Sequence, residues 1–149
     1  QSEKEIKLDN IIGENIRATG TVITKQDVAP PELVGYINAG GCVVQEEYAV
    51  RIVYKGNKNI ILFEKLDYKD RKGKAYYRIL DYVITYCNQD EIVEICNWST
   101  VSGREDDRII AKAVLRDWEV VKVTKAWKMN IDRLRIDKIG TSNISYVGY

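Results

Sequence analysis

A chain of 149 residues with 45% hydrophobic side chains is long enough to bury a core and too apolar to stay disordered along its whole length. Its 23 Lys and Arg against 22 Asp and Glu leave a net charge of +1, without the basic surplus of a duplex-DNA binder. No apolar run approaches the ~20 residues that cross a bilayer, so no membrane span is expected.

In chain order, residues 1–10 alternate charge with Ile6 and Leu8 and read as a flexible tail or an edge strand. They carry no initiator Met, the pattern left when a signal peptide is removed. The expectation is a secreted or periplasmic protein, in a compartment where disulfides form. Asp9 or Asn10 caps a short helical turn over residues 9–15. Residues 16–24 are β-branched and read as a strand, with Gly20 marking a bulge or a close backbone approach.

Residues 26–41 read as a long surface loop. Pro30 and Pro31 have no amide hydrogen for a central strand, and Gly40 and Gly41 loosen the backbone. Loops of this size often carry function. Leu33, Val34, Tyr36 and Ile37 are expected to tuck onto the body, since large exposed apolar patches are rare.

The stretch from Val50 to Trp98 organises the chain. Four apolar runs follow one another, separated by polar breaks with turn chemistry. Residues 43–55 are apolar on both faces around Arg51, as in a strand covered on both sides. Lys55-Gly56-Asn57-Lys58 and Asp70-Arg71-Lys72-Gly73 are the turns that flank residues 59–68. Residues 76–87 put Tyr76, Leu80, Tyr82, Ile84 and Tyr86 on one face; Tyr77, Ile79, Val83 and Cys87 share the other with Asp81 and Thr85. Residues 92–98 complete an expected antiparallel meander.

Two readings compete for residues 108–118. As a helix, Ser102 and Glu105 form a capping box before a stripe of Ile109, Ile110, Ala113, Val114 and Trp118. As a strand, Ile109, Ala111, Ala113 and Leu115 line one face, and the strand-like neighbours favour this reading. Residues 119–129 alternate as a strand, residues 133–139 alternate Leu134 and Ile136 with charges, and residues 144–149 make a last short strand. The expected fold is mainly β: one antiparallel β-sandwich or partly open β-barrel over residues 1–149, with one or two short helices. The alternative is α+β with a helix near residues 104–117.

Chemistry is constrained most by what the sequence lacks. With no histidine, Ser–His and Cys–His nucleophile pairs are impossible, and three cysteines are an incomplete structural zinc set. Neither a phosphate-cradling Gly-x-x-x-x-Gly-Lys nor a Gly-x-Gly-x-x-Gly fingerprint occurs. No catalytic residue, metal or cofactor is therefore assigned. Cys42, Cys87 and Cys96 are odd in number, so at least one stays unpaired within the chain. A tight turn at residues 88–91 disfavours Cys87–Cys96, and Cys42 is open to either.

Two leads remain. Glu46, Glu47, Asp81, Glu94 and Glu119 are candidate acids for a carboxylate-dependent glycoside hydrolase, with Asp81 interrupting an apolar face. Ten Tyr and three Trp against one Phe favour rings with polar handles, which suit binding faces. Tyr76, Tyr82 and Tyr86 form a stacking row if exposed. Trp98, beside a polar loop, and Trp118, at a turn, are the expected exposed pair. Asn97-Trp98-Ser99 and Asn143-Ile144-Ser145 match the N-glycosylation acceptor pattern.

The expected function is a non-catalytic binding module outside the cytoplasm that recognises a protein or glycan. Tyr36, Trp98, Arg104 and Trp118 are the candidate ligand-binding residues, since loops on a rigid sheet commonly carry recognition. The rivals are an oligonucleotide-binding barrel and the glycoside hydrolase. The charge balance makes a nucleic-acid partner the less expected one.

Overall fold

A computed structural model of the chain describes residues 6–99 and 106–147. The fold is mainly β, built of antiparallel sheets. Among the described residues the helical pieces are two 3-10 turns, Ile6–Ile11 and Pro31–Leu33. The chain divides into two compact units, Gln1–Thr85 and Tyr86–Tyr149.

The first unit holds β1 (Asn15–Ile16), β2 (Ile37–Val44), β3 (Tyr48–Lys55), β4 (Lys58–Lys69) and β5 (Ala75–Tyr86). They form one antiparallel sheet in the order β1-β5-β4-β3-β2, curled into a half-barrel. The β3–β4 turn is closed by the Lys55–Lys58 pair, and Gly56 takes the positive φ of 60° that a two-residue hairpin demands. Where β2 meets β3, a Cβ on residue 41 would sit 2.9 Å from the Val50 carbonyl oxygen, so only glycine allows this spacing.

The residues 26–41 are more ordered than a surface loop. Leu33 and Tyr36 are buried, as expected of a tucked segment. However, β2 begins at Ile37, ahead of the expected Val43. Backbone bonds from Ile23 N–H to Tyr36 O and from Asn38 N–H to Thr21 O recruit it early. The expected strand at residues 16–24 pairs in pieces only, through β1 and the bridges Arg17–Val28 and Val22–Ile37.

Beneath this sheet Ile16, Ile23, Leu33, Val53, Ile60 and Leu62 form a core with Ile79, Tyr82 and Ile84, and Tyr77 packs against it. Tyr77 and Ile79 are odd-numbered; Tyr82 and Ile84 are even. Both parities of β5 thus reach this core. Asp81 lies between the two pairs, and its carboxylate accepts the Tyr82 amide at 2.9 Å. The expected Tyr76–Tyr82–Tyr86 row is not an exposed one, because Tyr82 is fully buried while Tyr86 is exposed.

β3 and β4 are buried on both faces. In their register Arg51 lies opposite Leu62 and Ala49 opposite Glu64, so Arg51 and Glu64 are diagonal neighbours on one face. Arg51 Nε donates to Glu64 Oε2 at 2.8 Å and Nη2 to Oε1 at 3.2 Å, a two-pronged ion pair. Glu64 is fully buried. Burial pushes its carboxyl above the usual range, and the guanidinium pulls it part of the way back.

The second unit holds β6 (Glu91–Ile95), β7 (Trp98–Ser99), β8 (Ile109–Arg116), β9 (Glu119–Asn130), β10 (Arg135–Ile139) and β11 (Ser145–Tyr146). One sheet runs β10-β9-β8-β6, and a second pairs β11 with β7. The fourth apolar run of the expected meander, β6, pairs with β8 rather than with β5. The contested residues 109–116 are a strand. Pairing with β6 on one side and β9 on the other satisfies their amides, so the alternative of a helix near 104–117 is corrected there. Ser102 and Glu105, the proposed capping box, lie outside the described residues. Leu134 does not belong to the last long strand: it turns the chain at φ 55°, partly exposed, and β10 starts at Arg135. Trp98, Ile109, Ala111, Ala113 and Ala126 form this unit's core.

Cys42 and Cys96 are disulfide-bonded and Cys87 is the free thiol. Thiol titration of unfolded, unreduced protein should find one reactive group and titration after reduction three. Arg51→Leu should cost about 3–5 kcal/mol near neutral pH, because it leaves a buried carboxylate uncompensated. In that variant Glu64 titrates higher still than its ordinary 4.5. A carboxyl whose folded pKa lies above its unfolded value binds protons more tightly when folded, so stability is greatest in acid and falls as pH rises. Urea unfolding at about pH 4 and about pH 8 should therefore show the deficit growing with pH.

Candidate binding surface

The β8–β9 hairpin closes on the Arg116–Glu119 pair, leaving Asp117 and Trp118 as its two-residue tip. Their φ angles are 52° and 68°. Two left-handed residues in succession define the tight turn that Asn-Gly makes cheaply, because a Cβ in that region crowds the backbone by about 1–2 kcal/mol per residue. Here the second position holds the largest side chain available, and Trp118 is 90% exposed. Local backbone preference and burial both argue against an indole at this position.

Beside the tip lies an open groove of about 260 Å³, floored and walled by residues 120–123 of β9 and residues 144–146 around β11. A register slip falls within its β9 wall. Val114 pairs with Lys122 and Leu115 with Val120, so Val121 is the extra residue and stands 52% exposed. The opposite wall is held by Trp98, against which the Tyr146 ring packs edge-on, centroids 5.2 Å apart and planes at 73°. The Trp98 indole N–H donates to the Glu94 carbonyl at 2.9 Å. Burial pushes the Glu94 carboxyl up, opposed by the Ile95 amide and the Tyr146 hydroxyl.

The sequence-based candidates are thus scattered. Trp118 is exposed as expected. Trp98 is not its partner at the surface: it is fully buried, because β11 covers it and its indole serves the unit's core. Tyr36 is buried in the first unit with the Lys55 ammonium 5.8 Å from its ring centroid. Arg104 lies outside the described residues. Of the two glycosylation patterns, Asn143 stands in an exposed turn, whereas Ser99 of the other is buried.

The candidate acids are dispersed too. Glu46 occupies a left-handed position in the β2–β3 turn, Glu119 faces Arg116 at the hairpin tip, and Asp81 accepts the Tyr82 amide within β5. Among the described residues, no cluster of three or more Cys, Asp or Glu side chains is placed to hold a metal ion.

Two arrangements escaped the sequence reading. One is the Arg51–Glu64 pair, signalled only by Arg51 interrupting one apolar run and Glu64, followed by Lys65, interrupting the next. The other is a stacked column across the end of the first sheet. Tyr68 and Tyr76 lie 4.6 Å apart at 7°, and the Arg17 guanidinium sits 5.8 Å from the Tyr76 ring. The intervening turn is held by Asp70, whose carboxylate accepts the Lys74 and Lys72 amides at 3.0 and 2.9 Å and the Tyr76 hydroxyl at 3.4 Å. These bonds, the Lys74 amide foremost, hold its carboxyl below the usual range. The signal was present: Tyr68 and Tyr76 are equally spaced about the turn.

Comparison of the chain with protein-family models, with curated proteins and with solved structures finds no match. The geometry of the tip alone yields a test. Trp118→Gly should raise stability by about 1 kcal/mol, because glycine relieves the left-handed strain and no buried contact is lost. Thermal unfolding followed by circular dichroism measures the gain; a destabilised variant would mean that the indole packs against the protein.

Proposed function

We propose that the chain is a non-catalytic binding module acting outside the cytoplasm, recognising a protein or glycan with Trp118 as its principal contact. The observation that carries this reading is the position of Trp118: 90% exposed, on a backbone conformation that glycine would fill at lower cost. Strain of this kind persists where a side chain has a use that folding does not supply. An indole covered by a partner buries roughly 150–250 Å², and tryptophan is enriched among residues that dominate interface energy. The adjoining groove at residues 120–123 and 144–146 gives a bound group a second place to rest. Export is supported by the disulfide-bonded state of Cys42 and Cys96, since such bonds persist in oxidising compartments.

Arrays of purified glycans and of extracellular proteins test this reading. The wild-type chain should bind a discrete set, and Trp118→Ala should weaken that binding by roughly 30-fold, the effect of a residue that supplies about 2 kcal/mol. Circular dichroism should be unchanged. Because Trp98 and Trp127 are buried, ligand should blue-shift the exposed-indole emission, and Trp118→Phe should remove that shift. Binding untouched by both substitutions would discard the proposal.

A further inference from the structure

The stacked column of the first unit ends in an open ring. Arg17, Tyr76 and Tyr68 follow one another across the sheet from the β1 side through β5 to β4. On the far side of Tyr68 the next strand would be β3. The β3–β4 pairing, however, ends at Tyr48 opposite Lys65, with one further bond from the Leu66 amide to the Glu47 carbonyl. β4 runs on to Lys69 without that neighbour, and Tyr68 is 48% exposed. One face of its ring therefore lies on Tyr76, and the other lies where the sheet has run out.

Charge gathers at the same place. From Lys65 to Lys74 the chain carries five cations, Lys65, Lys69, Arg71, Lys72 and Lys74, against Asp67 and Asp70. Both anions are engaged locally: Asp67 accepts a bond from the Asn15 side-chain amide at 2.8 Å, and Asp70 holds the turn. Lys69, Arg71, Lys72 and Lys74 are exposed. A chain of net charge +1 thus concentrates a local basic surplus beside its open aromatic face.

We infer that this hairpin binds an acidic polysaccharide, one sugar ring stacking on Tyr68 and its carboxylate or sulfate groups meeting the Lys69–Lys74 cations. The column favours a sugar polymer over a single-stranded nucleic acid. Nucleic-acid binders of the stacking kind offer several platforms in series along a basic groove that tracks a phosphate at every nucleotide. Here the column presents one open ring, and the cations are confined to one turn. A polymer of lower charge density, with an apolar sugar face to set on the ring, matches that arrangement. The site is independent of Trp118 and stands or falls separately from the function proposed above.

The test is a titration of the full chain with polygalacturonate and with heparin. Neutral dextran and single-stranded oligodeoxythymidine serve as comparators. At least one acidic polysaccharide should bind, with affinity falling as salt rises, and dextran should not. Tyr68→Ala should weaken binding by about tenfold or more, a loss of at least about 1.4 kcal/mol. Tyr68→Phe should retain it, because stacking needs the ring and not the hydroxyl. Trp118→Ala should leave it intact, and circular dichroism should show that each variant folds. Three results would overturn the inference: no binding of either acidic polysaccharide, tighter binding of oligodeoxythymidine, or full binding by Tyr68→Ala with loss only in Lys69→Ala/Lys72→Ala. The last would mark simple ion exchange.

Discussion

The register of β3 on β4 is the constraint from which the first unit follows. Both strands are buried on both faces, so hydrophobic patterning alone discriminates poorly between this pairing and one shifted by a residue. The Arg51–Glu64 pair supplies the missing specificity. In the observed register the two charges share a face and meet with two hydrogen bonds. A one-residue slip would send them to opposite faces and leave each buried without its partner, at a cost of several kcal/mol. The pair contributes little against a well-packed apolar substitute; its effect is to make the alternatives expensive. With β3 and β4 in place, the Asp70–Gly73 turn brings β5 back along β4, and Gly41 lets β2 close against β3.

Much of this was legible from local chemistry. The Gly56-Asn57 and Asp70-Gly73 turns announce themselves by composition, and the apolar runs they separate are β3, β4 and β5. What local chemistry could not supply was the choice of partner at longer range. β6 looks like the next strand of a meander, yet its amides are satisfied by β8. Trp98 looks exposed because polar residues follow it, yet β11 at the far end of the chain pairs with it and seals it. Residues 108–118 satisfied helical and extended patterns about equally, and flanking pairing on both sides decided for the strand. The slip at Val121 in β9 is invisible in a period-two pattern, because an extra residue changes every face after it.

The candidate surfaces show the same division. Trp118 was legible because an indole in a turn has few places to hide. Its left-handed backbone was not, since Asp-Trp is a poor advertisement for that turn type. The Tyr68–Tyr76 stack was recoverable from the symmetry of the two rings about Lys72, but Arg17 joins it through sheet order that only the folded chain reveals. Both surfaces sit on hairpins that leave the well-packed sheets, where side chains are free of the demands of the core.

The short Gln45–Glu47 connection is where β3 stops, and its brevity is why β4 projects beyond it. Were that connection lengthened by a few residues of strand-forming sequence, the added backbone would have donors and acceptors to meet along the overhang of β4. The open face of the Tyr68 ring would then meet a side chain of the added strand, as its other face meets Tyr76. Insertion length in this one loop is thus a dial that bares or covers an aromatic surface without altering a single residue of it.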